Sequence, residues 1–76
     1  MTNETTKLIK LGKNIAKARK RKKLSQNALA DLLDISREHL AKLETAKRRI
    51  STKLLFQLAD VLDTTEKDLF DFESKN

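Results

Sequence analysis

Residues 26–45 read QNALADLLDISREHLAKLET, and this stretch decides the fold. Ser25, just ahead of it, is a good helix N-cap, and Leu24 before the cap can staple to Leu29 four positions into the helix. The spacing predicts a helix over about 26–33 with Leu29, Leu32 and Leu33 near one face. Ile35-Ser36 repeats the device. Ser36 caps, Ile35 staples to Leu40, and a second helix follows over about 37–44 with Leu40 and Leu43 inward.

Only residues 34–36 separate these two helices, which forces a sharp corner between them, the geometry of a helix-turn-helix. Ala30 is small where the crossing helices come closest. Leu33 and Ile35 flank the turn from inside. Arg37, Glu38, Ala41 and Lys42 are left on the outer face of the second helix, where they are not needed by the core.

Working outward, a helix is expected over about 6–22, with Leu8, Leu11, Ile15 and Ala18 on one stripe and Thr5 or Thr6 as its cap. After the corner, a helix starts at Ser51 or Thr52 and runs to Leu62, with Leu54, Leu55, Leu58, Ala59 and Leu62 inward. Thr64 is the expected cap of a last short helix over about 65–71 carrying Leu69 and Phe70. Residues 1–4 and 74–76 read as frayed ends of one domain spanning 1–76.

Composition narrows the chemistry. The chain has 76 residues, no cysteine and one histidine, so a disulfide framework, a thiolate nucleophile and a histidine-rich metal site are not expected. One glycine and no proline argue against hairpin-rich β folds. No apolar run approaches the roughly 20 residues that span a bilayer, and the N-terminus lacks the pattern of a secretion signal. The expectation is a soluble, cytoplasmic protein without a cofactor or small-molecule ligand. An enzyme is disfavoured, because no nucleophile–base spacing appears.

The charge is segregated. Residues 7–23 hold nine bases and no acid, and residues 47–53 add Lys47, Arg48, Arg49 and Lys53. Residues 54–76 carry six acids against two bases. A basic face of this kind suits a polyanion.

Leu11-Gly12, Ile15, Arg19, Leu24-Ser25-Gln26, Leu29-Ala30, Ile35-Ser36, Leu40, Leu43-Glu44 and Lys47 together resemble the Xre family of helix-turn-helix regulators, which includes phage repressors and Cro proteins. The resemblance covers about residues 8–70 and implies an all-α, five-helix, lambda-repressor-like DNA-binding domain. The stretch ISREHLAKLETAKRRIS is also similar to the controller proteins of restriction–modification systems, small stand-alone members of that family. Two positions depart from the pattern. Asp34 stands in the turn where Gly is usual, and Ala46 stands where Gly often follows the reading helix. A left-handed Asp is tolerated there at some cost in stability.

The resemblance implies that Gln26 bonds a phosphate and braces the reading helix, that Ser36 meets a phosphate, and that Arg19 and Glu44 form a structural ion pair. Arg37 stands at the start of the reading helix and is the expected base reader, since Arg pairs bidentately with guanine O6 and N7. Glu38 has two open readings, acceptor from a cytosine amino group or favourable charge at a helix N-terminus. Lys42, one turn on, can reach a base or a phosphate. His39 is expected at backbone phosphate or solvent. Thr45, Lys47, Arg48 and Arg49 form the loop after the reading helix and are expected at phosphates.

A helix as short as 65–71 cannot bury Leu69, Phe70 and Phe72 by itself, so these residues are expected to close a homodimer. A two-fold dimer would read a palindromic operator, two half-sites about one helical turn apart. The leading expectation is therefore a sequence-specific transcriptional regulator acting on double-stranded DNA. An antitoxin that also binds a toxin is the alternative. Attachment of the basic first helix to a membrane is disfavoured, because that helix has no Trp or Phe and its narrow apolar stripe is needed by the fold.

Overall fold

The computed structural model describes residues 3–71. Among them are five helices and no strand: α1 (Asn3–Arg21), α2 (Gln26–Leu33), α3 (Arg37–Glu44), α4 (Thr52–Val61) and α5 (Glu66–Leu69). They pack into a body of 31 × 24 × 20 Å.

Four of the helices begin on a hydroxyl. Ser25 Oγ accepts from Ala28 N (3.0 Å), Ser36 Oγ from His39 N (2.9 Å), Ser51 Oγ from Leu54 N (3.1 Å) and Thr65 Oγ1 from Asp68 N (3.0 Å). Each satisfies one of the donors that a helix start leaves without a partner. The cap of α5 is Thr65, not the expected Thr64. Thr64 N donates instead to Ala59 O (2.9 Å) and closes the end of α4. The start of α1 also differs from expectation. The helix includes Asn3 and Glu4, because Glu4 complements the positive N-terminal end of the helix and is held from outside by Arg49.

The helix ends share one device. Lys23 (φ 59°), Asp34 (φ 58°), Ala46 (φ 61°) and Asp63 (φ 55°) are left-handed, and no glycine is. After each, the next N–H reaches back five residues: Leu24 N to Arg19 O (3.1 Å), Ile35 N to Ala30 O (3.0 Å), Lys47 N to Lys42 O (2.8 Å) and Thr64 N to Ala59 O (2.9 Å). This is the Schellman ending, normally built on glycine. The single glycine sits elsewhere, inside α1. A Cβ on Gly12 would lie 2.5 Å from Glu44 O and 2.7 Å from Leu43 O, so α1 crosses the end of α3 at backbone contact.

The core gathers Leu11, Ile15 and Ala18 of α1, Leu29, Ala30 and Leu33 of α2, Leu40 and Leu43 of α3, Leu54, Leu55, Leu58 and Ala59 of α4, with Leu62 and Leu69 beyond. Leu24 and Ile35 pack against it as the staples require. Two expectations are corrected. Leu32 does not join Leu29 and Leu33 but stands 60% exposed, because the buried arc of α2 turns toward Ala30. Leu69 is not a dimer-face residue; it is 2% exposed and belongs to the monomer core. Phe70 is 45% exposed, and Phe72 lies outside the described residues. Asn14 Nδ2 ties α5 down by donating to Leu69 O (2.8 Å) and Asp71 O (3.0 Å).

Candidate nucleic-acid interface

The site is built on α3. Leu40 and Leu43 point into the core, which turns Arg37, Glu38 and Lys42 outward, and all three are exposed. Glu38 lies in the first turn of α3, where its charge favours the helix.

Behind this exposed arc lies a chain of polar contacts. Arg19 Nε meets Glu44 Oε2 at 2.7 Å, and Arg19 Nη2 donates to Glu44 Oε1 at 3.2 Å. The two side chains are only 10% and 6% exposed. Arg19 Nη1 donates to Leu24 O (2.8 Å), so the guanidinium is satisfied on two sides. Gln26 Nε2 donates to Glu44 Oε1 (3.0 Å), which leaves Gln26 Oε1 to accept from Arg37 Nη1 (3.4 Å). The expected pair Arg19 and Glu44 is thus brought together, and it is linked through Gln26 to Arg37.

The hydroxyls divide by what they can still donate. Ser36 Oγ is used only as an acceptor by His39 N, so its proton remains for an anion. Gln26 likewise keeps one amide N–H. Thr45 Oγ1 donates to Ala41 O (2.8 Å). Its proton is committed within α3, and a phosphate oxygen needs a donor.

The loop after α3 is also divided. Lys47 and Arg48 are exposed. Arg49 is exposed as well, but its Nη1 and Nη2 fork onto Glu4 Oε2 (2.7 Å) and Oε1 (2.9 Å). His39 borders a surface hollow with Asp34, Ser51, Lys53 and Gln57. Sequence reasoning missed Lys53 as a neighbour of α3; its place in the second basic run was the available signal. Among the described residues no group of His, Cys, Asp and Glu could hold a metal ion, and no helix is long and apolar enough to cross a membrane.

The Helix-turn-helix family profile matches residues 15–69. The chain belongs to the helix-turn-helix family. The match spans the α2–α3 corner and the Arg19–Glu44 pair, in line with the Xre resemblance of the sequence. Among solved structures, the restriction-modification controller protein C.AhdI from Aeromonas hydrophila is 32% identical, with a TM-score of 0.77, over 82% of this chain and 94% of that one. No curated protein sequence matches significantly. Family and neighbour support a DNA-binding transcriptional regulator and point away from a catalyst.

Proposed function

We propose that the chain is a sequence-specific regulator that binds double-stranded DNA as a homodimer, with α3 in the major groove. The observation that supports this is the linked set Arg19, Glu44, Gln26 and Arg37, which ends in the Arg37 guanidinium on the exposed arc of a helix otherwise fixed by the core. Arg37 pairs with guanine, and Lys42 and Glu38 extend the readout along α3. Gln26, Ser36, His39, Lys47 and Arg48 meet phosphates on either side. Phe70, with Leu8 and Leu11 along one apolar groove, supplies the dimer contact, and Phe56, 54% exposed, adds apolar surface. The likeness to C.AhdI supports control of restriction–modification genes as the setting.

The test is selection from a randomised duplex pool at about 150 mM salt, roughly physiological ionic strength. A two-fold symmetric motif, with half-sites about one helical turn apart, is the expected result. Retention without enrichment would remove the regulator reading. On the selected site Arg37→Ala should lose about 1–3 kcal/mol, with little change on random DNA. An equal loss on both would demote Arg37 to a phosphate contact.

A further inference from the structure

The basic run of α1 reaches the interface around α3 only through Arg19, and its other cations separate by position on the helix. Arg19 is buried against Glu44. Arg21 and Lys22 border a hollow shared with Asp63 and Asp68. Lys10, Lys13, Lys17 and Lys20 are all exposed. Their spacing of three, four and three residues puts them on one stripe, about 15 Å long at 1.5 Å per residue.

The direction of that stripe is fixed by its neighbours. Gly12 touches the α3 backbone, and Arg19 reaches Glu44, so both mark the side of α1 that faces α3. At 3.6 residues per turn the four lysines lie roughly 130° round the helix from them. The stripe presents its charge away from α3, not alongside Arg37 and Lys42.

The pattern is costly as a mere solvated face. Lys10 with Lys13, Lys13 with Lys17, and Lys17 with Lys20 are like-charged neighbours at the spacings where helix side chains meet, and each pair is destabilising. No acid interrupts residues 7–23. A duplex, with one negative charge per roughly 1.7 Å of axis, relieves that repulsion and gains entropy from released counterions. The apolar side of α1 is consumed by the core, which leaves a membrane no face to insert.

We propose that Lys10, Lys13, Lys17 and Lys20 form a second, sequence-independent contact for duplex DNA, taking the phosphate backbone of a segment other than the one in which α3 sits. Two stretches of DNA are then held by one molecule. The proposal rests on the reading of α3 as the primary DNA contact.

The experiment uses the full chain and a variant with Lys10→Gln, Lys13→Gln, Lys17→Gln and Lys20→Gln. Gln is close to Lys in helix propensity, and a thermal melt checks that the fold is kept. Two mixed-sequence duplexes of about 20 bp, two helical turns, carry a donor and an acceptor dye. Energy transfer on adding protein reports bridging, and anisotropy reports binding to one duplex.

The wild-type chain should bridge. The variant should bridge roughly tenfold less or worse while holding a single duplex about as well, and the salt slope of bridging should fall by about three to four, near 0.9 for each lysine. Equal bridging by both proteins overturns the proposal. So does loss of single-duplex binding in step with bridging, which would place the stripe in the primary interface. Wild-type binding to vesicles of phosphatidylserine and phosphatidylcholine, lost in the variant and without any bridging, would reassign the stripe to a membrane. A chain that enriches an operator but never bridges sinks this proposal alone. One that bridges but enriches nothing sinks the regulator reading alone.

Discussion

Two arginine–carboxylate pairs tie α1 to the α3 side of the molecule, and both close at 2.7 Å. Arg19–Glu44 is almost wholly buried, with side chains 10% and 6% exposed, whereas Arg49–Glu4 stands in solvent at 75% and 58%. The geometry is alike, so solvent decides the weight of each. In water the Coulomb gain is screened, and holding two long side chains together costs entropy, so an exposed pair contributes about 0–1 kcal/mol. In the buried pair the hazard is asymmetric, because removing one partner strands the other charge without water.

The comparison breaks first at Glu44. Glu44→Ala leaves Arg19 buried beside Leu24 O alone, and should cost about 3–5 kcal/mol in a urea melt. A domain of this length has a total stability of about 4–11 kcal/mol, so the variant is expected to be close to unfolding. Replacing both partners, Arg19→Met with Glu44→Met, should recover most of the loss. DNA reading should not recover with it, because Gln26 then lacks the acceptor that turns its Oε1 toward Arg37. Full recovery of operator binding in the double variant would show that the polar chain is only a structural prop.

The next largest effect belongs to the backbone between the two acids of the comparison. Gly12→Ala puts a methyl 2.5 Å from Glu44 O, against backbone that cannot swing aside. α1 must lift from α3, at a cost of about 1–3 kcal/mol as for overpacked cores. Glu4–Arg49 bridges the same two parts of the chain, yet it cannot compensate, since it is worth less than the displacement. A Gly12→Ala protein with an unchanged melting temperature would mean that α1 and α3 are less tightly fixed than their contact implies.

How much of this was legible depends on whether the signal was local. Ser25 and Ser36 announce their helices through cap and staple, and α2 and α3 begin and end as the spacing predicts. Asp34 was readable as a left-handed residue because Asp is one of the tolerated types. Ala46, Lys23 and Asp63 were not, because nothing in those side chains marks the conformation that Gly would. The expected helix over 65–71 is too short for its spacing to separate buried Leu69 from exposed Phe70, and α5 itself is shorter still, Glu66–Leu69. Asn14 reaches Leu69 across 55 positions and Arg49 reaches Glu4 across 45, so no local pattern marks either contact. Arg19 and Glu44 came from family resemblance, not from spacing.

Ala46 gives the third test, since it turns the segment that runs from Glu44 of the buried pair to Arg49 of the exposed one. With φ at 61° an alanine pays the left-handed penalty of about 1–2 kcal/mol, offset in part by the greater freedom that Gly has when unfolded. Ala46→Gly should therefore stabilise by about 0.5–1 kcal/mol, raising the melting temperature by roughly 2–8 °C for a domain this size. A drop in stability would mean that the Cβ of Ala46, half-buried in the structure, packs for more than its backbone costs.

The smallest effect is expected at the exposed pair, and there the sign differs between stability and function. Glu4→Gln should change stability by less than about 1 kcal/mol, because both side chains are well hydrated. It should nevertheless strengthen DNA binding. Glu4 occupies the guanidinium fork of Arg49 with two oxygens, the same bidentate arrangement that a phosphate offers. While the pair is made, Arg49 is neutralised and displaces no counterion from DNA. Freed of its carboxylate, it adds one cation to the loop already carrying Lys47 and Arg48, and the slope of log affinity against log salt should steepen by about 0.9. Arg49→Ala separates the possibilities. If Arg49 turns to phosphate on binding, the double variant Glu4→Gln with Arg49→Ala loses the added slope. If Glu4→Gln raises affinity in the Arg49→Ala background as well, the gain comes from general loss of negative charge, and the pair is a tether between α1 and the loop with no share in DNA contact.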